Sequence, residues 1–441
     1  MSPLAQIFFD MGFVVSGSDL KETEVTAALS KKGARIFIGH SKNNIGDADV
    51  IVVSAAIPQT NEELVYAKEC GIPILQRIEA LAMLMEDKFG IAVAGSHGKT
   101  TTTSMLALVL EGCGIDPTVI IGGELNDIGG SARLGRGKYL VAEADESSGQ
   151  FLKLSPQVAI VTNIDDDHLD YYKTIQGVKD AFKTFLKNIK GNGIAVLFID
   201  DPNVSEVVNG YKGKVITYGL SPEAHVHACN IERCGFVSRF TVKIGGKPWA
   251  DLELNVPGMH NIYNALAVAG LSNELGLDPG KVAEALSTFK GVHRRFEIIH
   301  RQNDITIIDD YGHHPTEIRA VLRSAKETGP KRVIAIFQPH RYTRTKLLMN
   351  EFSKAFSDAD IIFITNIYSA GEPRIPGVTA QKLTNLIATN EIGKAVRCIE
   401  DMDSITQELI GFLSPGDLVL TMGAGDIRKV GEKLAYEIQL L

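Results

Sequence analysis

The stretch Ala92–Ser104, AVAGSHGKTTTTS, constrains this chain more than any other. The apolar run ending in Ile91-Ala92-Val93 reads as a short buried strand. Gly95, Ser96, His97 and Gly98 then make a small loop, and Lys99-Thr100-Thr101-Thr102 opens a helix that continues through Met105–Leu110. Free backbone N–H groups and the positive end of the helix dipole favour an anion at such a junction. Lys99 adds a point charge, and the Thr100 hydroxyl can reach a Mg²⁺. The common spacing G-x-x-x-x-G-K-T would place a glycine at Val93; here the loop is shortened to G-S-H-G-K-T. A bare Gly-Lys-Thr also serves as a polar cap on a buried helix. The strand before it and the apolar helix after it favour a nucleotide site instead.

At 441 residues the chain is too long for one ordinary core, and two to four domains are expected. With 44% hydrophobic and 22% charged residues it has the composition of a globular protein. No apolar run approaches the ~20 residues needed to span a bilayer. The N-terminal MSPLAQIFFDMGF lacks the basic segment of a secretory signal. Cys70, Cys113, Cys229, Cys234 and Cys398 are scattered and without metal spacing, so they read as free thiols in a reducing compartment. A net charge of −8 with no basic stretch, and a single Trp, argue against nucleic acid as a partner. The expectation is a cytoplasmic α/β enzyme with no membrane association.

Residues 1–86 alternate strand-like runs (Phe13–Asp19, Ala34–Ile38, Asp49–Ser54, Pro73–Leu75) with helical ones (Thr23–Lys32, Asn61–Cys70). That rhythm predicts a parallel sheet with helices on its faces and ligands beyond the strand ends at Ser16–Asp19, Ser54–Ile57 and Gln76-Arg77. Ser and Asp at these ends serve equally well as helix caps. A Rossmann unit opens on a strand and a Gly-rich turn, yet this chain begins directly in a helix-like Ser2–Gly12, so the first strand is missing from the pattern. A second domain starts after Asp87-Lys88. Its strand Tyr139–Ala142 ends in Glu143-Ala144-Asp145-Glu146, and Val158–Val161 ends in TNIDDDHLD with His168. Crowded carboxylates at strand tips are costly without a cation. Acidic solvated turns are the plain alternative, but with Lys99-Thr100 these segments converge on one sheet edge. Residues 194–256 read as strands and turns. His260 and Asn264 then lie one helical turn apart, ahead of the helix Ala265–Ala269. From about Gly291 the doubly wound rhythm restarts, with strands at Ile305–Ile308, Val333–Phe337, Ile361–Thr365 and Leu418–Leu420. Their tips carry DDYGHHP, QPHRYTRT and GAGD, whose His and Arg residues suit anionic ligands.

Together these motifs resemble the Mur ligases, three-domain enzymes that use ATP to join amino acids or peptides to UDP-muramoyl precursors of peptidoglycan. Gly95–Thr102 is similar to the family's G-T-x-G-K-T-T loop, with Ser96 for the usual Thr. EADESS, TNIDDDHLDYY, GMHNIYNALA, GVHRRFE, DDYGHHPTEI, QPHRYTRT, YSAGEPRIPGV and GAGDI resemble the branch that adds L-alanine. The sibling branches for D-glutamate, diamino acids and dipeptides resemble this chain only at the loop and the first few motifs. The alternatives to L-alanine addition are the murein tripeptide-recycling ligase of the same family and a catalytically impaired nucleotide-binding homologue.

The resemblance implies an α/β fold of three domains. These are an N-terminal Rossmann-like domain (1–86) for the UDP substrate, a central P-loop ATPase-like domain (87–290), and a C-terminal Rossmann-like domain (291–441) for the amino acid. It implies ATP and Mg²⁺ as cofactors, UDP-N-acetylmuramate and L-alanine as substrates, an acyl phosphate between them, and a monomer or homodimer. Gly95, Ser96, His97, Gly98, Lys99, Thr100 and Thr101 would cradle phosphate, and Thr100, Glu143 and His168 would organise Mg²⁺. His260, Asn261 and Asn264 would line the adenine side, Arg295 would touch phosphate and Asp310 the ribose. His340, Arg341 and Arg344 would face the acyl phosphate and the amino acid's carboxylate. With residues drawn from two domains, closure around substrate is expected. The family's opening G-I-G-G-x-G-M-S turn overlaps this chain only at Met1-Ser2. The expectation is therefore either a start further upstream or a UDP site lacking part of its cradle. Lys183 lies near a carbamylated lysine of other branches, a feature that the L-alanine branch does not use.

Overall fold

The computed structural model describes residues 1–54, 56–125 and 130–440, which form a mixed α/β structure. Of the strand ends expected to face ligand, Ser54–Ile57 contains Ala55, which lies outside the described residues. The chain divides into two compact units. The first holds residues 1–227, 244–247 and 266–285; the second holds 228–243, 248–265 and 286–441.

The first unit opens with helix α1 (Ser2–Asp10), strand β1 (Ser16–Asp19), α2 (Glu24–Lys32) and β2 (Arg35–Ile38). It continues through β3 (Ile51–Val53), α3 (Glu62–Cys70), β4 (Ile74–Gln76) and α4 (Arg77–Glu86). Thr23 caps α2 by accepting the Thr26 N–H, and Gly33 ends it at φ 111°, a left-handed turn that glycine adopts without strain. The single N-terminal sheet expected from the rhythm is resolved instead into two parallel ladders, β1 with β2 and β3 with β4. Helical crossovers α2 and α3 join the members of each pair, whereas only a short 3₁₀ turn, Lys42–Asn44, lies between the pairs.

The large sheet is built on β5 (Phe89–Ala94), followed by α5 (Lys99–Gly112), β6 (Thr118–Leu125), β7 (Gly130–Arg133) and β8 (Tyr139–Glu143). Then come β9 (Val158–Val161), α6 (Leu169–Tyr172), α7 (Ile175–Lys187), β10 (Ile194–Phe198), α8 (Pro202–Val208) and β11 (Lys214–Gly219). Their order in the sheet is β11-β10-β9-β5-β8-β6-β7, and it is parallel except for β7. β5, β8 and β9 read as continuous apolar runs because both faces are covered. Met105, Leu106, Val109 and Leu110 of α5 are fully buried, each contributing about 1.5–3 kcal/mol by area. The segment 194–256 is not all strand and turn. Pro202 at the first helical position and Asp201, accepting from Asn203 and Val204, start α8 inside it.

Strands β12 (Val226–Cys234), β13 (Val237–Ile244) and β14 (Lys247–Leu254) follow, β12 starting in parallel register beside β11 at Val226 and His227. Helix α9 (Met259–Glu274) begins six residues ahead of the expected Ala265, so His260, Asn261 and Asn264 lie within its first two turns, and α10 (Pro279–Ser287) follows. The second unit then forms a six-stranded sheet from β15 (Glu297–Gln302), β16 (Ile305–Asp310), β17 (Arg332–Phe337), β18 (Ile361–Ile364), β19 (Ala395–Cys398) and β20 (Asp417–Met422). Its order is β15-β16-β20-β17-β18-β19, with only β15 antiparallel. Helices α11 (Pro315–Glu327), α12 (Tyr342–Leu347), α13 (Met349–Phe352), α14 (Ala380–Asn390), α15 (Met402–Ile410) and α16 (Arg428–Gln439) complete the unit. Apolar clusters cover the two faces of this sheet, one around Phe337, Phe352 and Phe356 and the other around Ile336, Phe363 and Leu434. No helix among the described residues is long and apolar enough to cross a membrane, and the five cysteines are free thiols.

Candidate functional site

In the first unit β9, β5 and β8 are neighbours running the same way, so their carboxyl ends share one edge. From that edge project the 95–98 loop, Glu143–Glu146 and Thr162–His168. Gly95 sits at φ +131°, and a Cβ there would come 2.1 Å from Thr162 Oγ1 and 3.0 Å from the Asn163 backbone. Only glycine lets the loop lie against the β9 tip. Side chains then staple it in place. Thr162 Oγ1 donates to His97 O (2.6 Å), Asn163 Nδ2 to the same oxygen (2.9 Å), and the His97 N–H to Asn163 Oδ1 (2.8 Å). The Asp165 N–H donates to Ser96 Oγ (2.9 Å), and the His97 ring lies 3.0 Å from Asp165 Oδ2. Gly98, left-handed at φ 84°, starts α5, so the helix N-terminus opens directly off the stapled loop.

Lys99 reaches back over this loop. Its ammonium donates to Gly95 O (2.5 Å), Ser96 O (3.2 Å) and both carboxylate oxygens of Glu146 (2.9 and 2.8 Å). Burial works against the charged lysine, but Glu146, Asp145 and Glu143 outweigh it and hold its pKa above the ordinary value. Glu146 is 1% exposed, and its backbone oxygen accepts from the Tyr172 hydroxyl (2.5 Å). Donor atoms of Asp145, Glu146 and His168 all lie within 4.8 Å of one another. His168 takes a left-handed φ of 58°, which turns its ring towards Glu146 (3.7 Å) and Asp167 (3.5 Å). Glu143, expected beside it, packs against β6, where a Cβ on Gly122 would meet Glu143 Oε2 at 2.6 Å. Thr100 and Thr101 occupy the first turn of α5. Lys183 lies 3.7 Å from Asp180 on α7.

The second unit collects a separate cationic and aromatic group at the ends of β16, β17, β18 and β20. His340 Nδ1 accepts from Arg344 Nη1 (3.2 Å), and burial together with Arg344 and Arg341 pushes the imidazole pKa down to about 4. The ring is therefore neutral at pH 7. It meets His313 at 5.8 Å between centroids, and His313 meets Tyr311 edge-on at 5.4 Å. Arg294 and Arg295 sit over the same Tyr311 ring at 5.1 and 5.2 Å. Asp310 Oδ2 accepts the Phe296 N–H (2.8 Å) and Oδ1 the Gly312 N–H (2.6 Å). Burial raises its pKa to about 6 against the pull of Arg295. Burial and Arg295 likewise lower His260 to about 4. On the same helical face Asn264 donates to Asn261 (3.4 Å), which donates to Pro257 O (2.7 Å).

Three groups escaped the sequence reading. Glu146 was legible only as one of several tip carboxylates, because its pairing with Lys99 spans 47 residues. Arg294 differs from its neighbour Arg295 only by backbone: at φ 59° it turns inward to Asp309 (3.0 Å), Gly425 O (3.0 Å) and Gly423 O (2.7 Å). Tyr368, described below, sits in a loop whose motif was visible but whose geometry was not.

Profiles of three family domains match almost end to end. The Mur ligase family catalytic domain matches residues 1–89, the Mur ligase middle domain 93–272, and the Mur ligase glutamate ligase domain 294–425. A UDP-N-acetylmuramate–L-alanine ligase of Geotalea uraniireducens is 47% identical over 439 residues, covering 100% of this chain and 96% of its own. The chain belongs to the Mur ligase family. A second such Mur ligase, from Pelotomaculum thermopropionicum, is also 47% identical, over 100% of this chain and 95% of its own length. The solved UDP-N-acetylmuramate–alanine ligase of Thermotoga maritima superposes with a TM-score of 0.85 at 33% identity, covering 100% of this chain and 96% of that one. The Mur ligase MurF of the same organism, solved with ADP, shares the fold at 17% identity, with a TM-score of 0.68 over 97% of this chain and 96% of that one. This Mur ligase is accordingly an ATP-dependent, amide-bond-forming enzyme.

Proposed function

We propose that this chain joins L-alanine to the carboxylate of UDP-N-acetylmuramate through an acyl phosphate, at the expense of ATP, in peptidoglycan precursor synthesis in the cytoplasm. The observation that carries the substrate assignment is the 47% identity to an L-alanine ligase across the whole of this chain. The division of labour follows the expected domains, 1–86 for the UDP substrate, 87–290 for ATP and 291–441 for the amino acid.

The loop fits a nucleotide's phosphates: a Cβ-free approach at Gly95, a left-handed Gly98 and a helix start beside an ammonium. In this reading Gly95–Thr101 hold phosphate and Lys99 leaves Glu146 to neutralise it. The donor set also fits a hard cation, with carboxylate oxygens and an imidazole close together. Asp145, Glu146 and His168, whose donor atoms lie together, would hold Mg²⁺, with Thr100 and Glu143, the other ligands that the resemblance implies, supplied from the start of α5 and the end of β8. Bound there, Mg²⁺ would supply charge neutralisation for phosphoryl transfer. His260, Asn261 and Asn264 serve the adenine, Arg295 a phosphate, and Asp310 the ribose hydroxyls. Phosphoryl transfer asks the protein for position and charge more than for a nucleophile. His340, neutral and donating through Nε2, and the guanidinium groups of Arg341 and Arg344 supply these to the acyl phosphate and to the carboxylate of alanine. The active form is a monomer or homodimer.

Phosphate release from ATP with UDP-N-acetylmuramate present, with and without L-alanine, tests the reading. Release that requires both is the expected result. Release that requires a murein tripeptide instead would assign the recycling reaction, and none with either would leave a binding protein.

A further inference from the structure

Arg341 has an unusual backbone, φ 66° and ψ 137°, outside the regions that a non-glycine residue ordinarily occupies. Such a conformation persists only where neighbours hold it, and here the neighbours come from one loop. Beyond β18 the chain returns alongside Pro339–Arg341 as an isolated parallel bridge between His340 and Tyr368. The Arg341 N–H donates to Tyr368 O (2.8 Å), and the Tyr368 N–H donates to Pro339 O (2.8 Å). The Tyr368 ring lies on the His340 imidazole, 5.8 Å between centroids and 13° from parallel. Gly425 also packs closely on this ring: a Cβ there would fall 2.7 Å from Tyr368 Cγ and 2.2 Å from Gln338 Oε1. Gln338 in turn donates to Asp426 Oδ1 (2.9 Å). Four residues later the same loop grips α12 again, with Glu372 accepting from the Thr343 N–H (3.0 Å) and hydroxyl (2.7 Å).

We propose that Tyr368 is the positioning residue of the amino-acid subsite, setting His340, Arg341 and Arg344 through its stacked ring and its two backbone bonds. It does so as a wedge between Gly425 and His340, without itself touching the reacting atoms. His340 then presents Nδ1 to Arg344, so one displaced ring disturbs both arginine-bearing turns. This deepens the L-alanine ligase reading and rests on it for the identity of the amino acid.

The test replaces the ring and leaves the backbone. Tyr368→Leu is expected to raise KM for L-alanine by about tenfold, the equivalent of one lost aromatic stack, with KM for ATP within about twofold of the wild type. Tyr368→Phe keeps the stack and is expected to stay within about twofold for both substrates. Gly425→Ala places a Cβ against the same ring and is expected to repeat the Tyr368→Leu pattern. A wild-type KM for L-alanine in Tyr368→Leu overturns the proposal. So does a parallel rise of both KM values with a falling Tm, which marks general loosening. If the wild type uses a murein tripeptide in place of L-alanine, the substrate reading fails, and the same split is then sought in KM for the tripeptide. If no turnover is found at all, the imidazole resonances of His340 decide. A ring-current shift present in wild type and Tyr368→Phe and lost in Tyr368→Leu supports the wedge, and its absence from the wild type overturns it.

Discussion

Lys99 and Glu146 form a bidentate ion pair, 2.8 and 2.9 Å from the ammonium to the two carboxylate oxygens, with the glutamate only 1% exposed. The pair occupies the lysine where a phosphate would otherwise compete for it. Breaking a buried pair by removing one partner strands the other charge, at about 3–5 kcal/mol. Glu146→Ala is therefore expected to lower the free energy of unfolding by about that amount. Because phosphate can replace the lost carboxylate, ADP should raise the Tm of the variant by more than it raises that of the wild type. Equal shifts in a thermal-melt comparison would show that the lysine is not held back by Glu146.

Removing the lysine itself has a different signature. Lys99→Met deletes the cation at the N-terminal end of α5 that the proposed function assigns to phosphate, and an effect of about 10²–10³-fold on kcat is expected. The variant also leaves Glu146 buried without its ammonium, so circular dichroism and an unfolding curve accompany the phosphate-release assay. A folded variant with near wild-type kcat would remove Lys99 from the chemistry.

Gly95→Ala combines a left-handed φ of +131° with a Cβ 2.1 Å from Thr162 Oγ1. The backbone strain alone costs about 1–3 kcal/mol. Since Thr162 and Asn163 hold the loop through their side chains, the loop must detach from the β9 tip. Calorimetric titration with ADP should show binding weakened by at least tenfold in a protein that still folds. Unchanged affinity would mean the loop can absorb the methyl.

Acid destabilisation should show two opposed components. His260 and His340 have folded-state pKa values pushed down to about 4, from an ordinary value of 6.5. Their neutral rings are accommodated fully above pH 6.5, and the stability they allow is lost as pH falls towards 4. Asp310 is raised to about 6 from 3.8, so its protonated form favours the fold and its share is lost as pH rises from about 4 to 6. Replacing both histidines by Asn should flatten the fall of the urea midpoint between pH 6.5 and 4, and Asp310→Asn should steepen it. Identical pH profiles for all three proteins would contradict both assignments.

Much of this was legible in the chain because the signals were local. The strand–loop–lysine–helix of 91–110 and the apolar runs of β5, β8 and β9 each depend on residues a few positions apart, whereas α8, started by Asp201 and Pro202, was hidden in a segment that reads as strands and turns. The tip residues were legible as a class, since parallel strands must carry their ligand-facing groups at the same end. The pairing within that class was not. Glu146 to Lys99 and Tyr368 to His340 are contacts across 47 and 28 residues. Arg294 and Arg295 are chemically identical neighbours, separated only by a backbone angle that no side-chain pattern encodes. The N-terminal rhythm predicted one sheet where two ladders stand, because periodicity gives strands and helices but not which edges meet.

His168 in the first unit and Arg341 in the second both hold left-handed backbones that glycine would adopt without strain. Under the proposed function each supplies a site side chain from a position that conformational economy alone would give to glycine. A laboratory population selected only for survival at high temperature is therefore drawn towards glycine at these two codons, and one selected for growth on cell-wall synthesis is held away from it. The two selections should part at His168 and Arg341 before they part anywhere in the sheets.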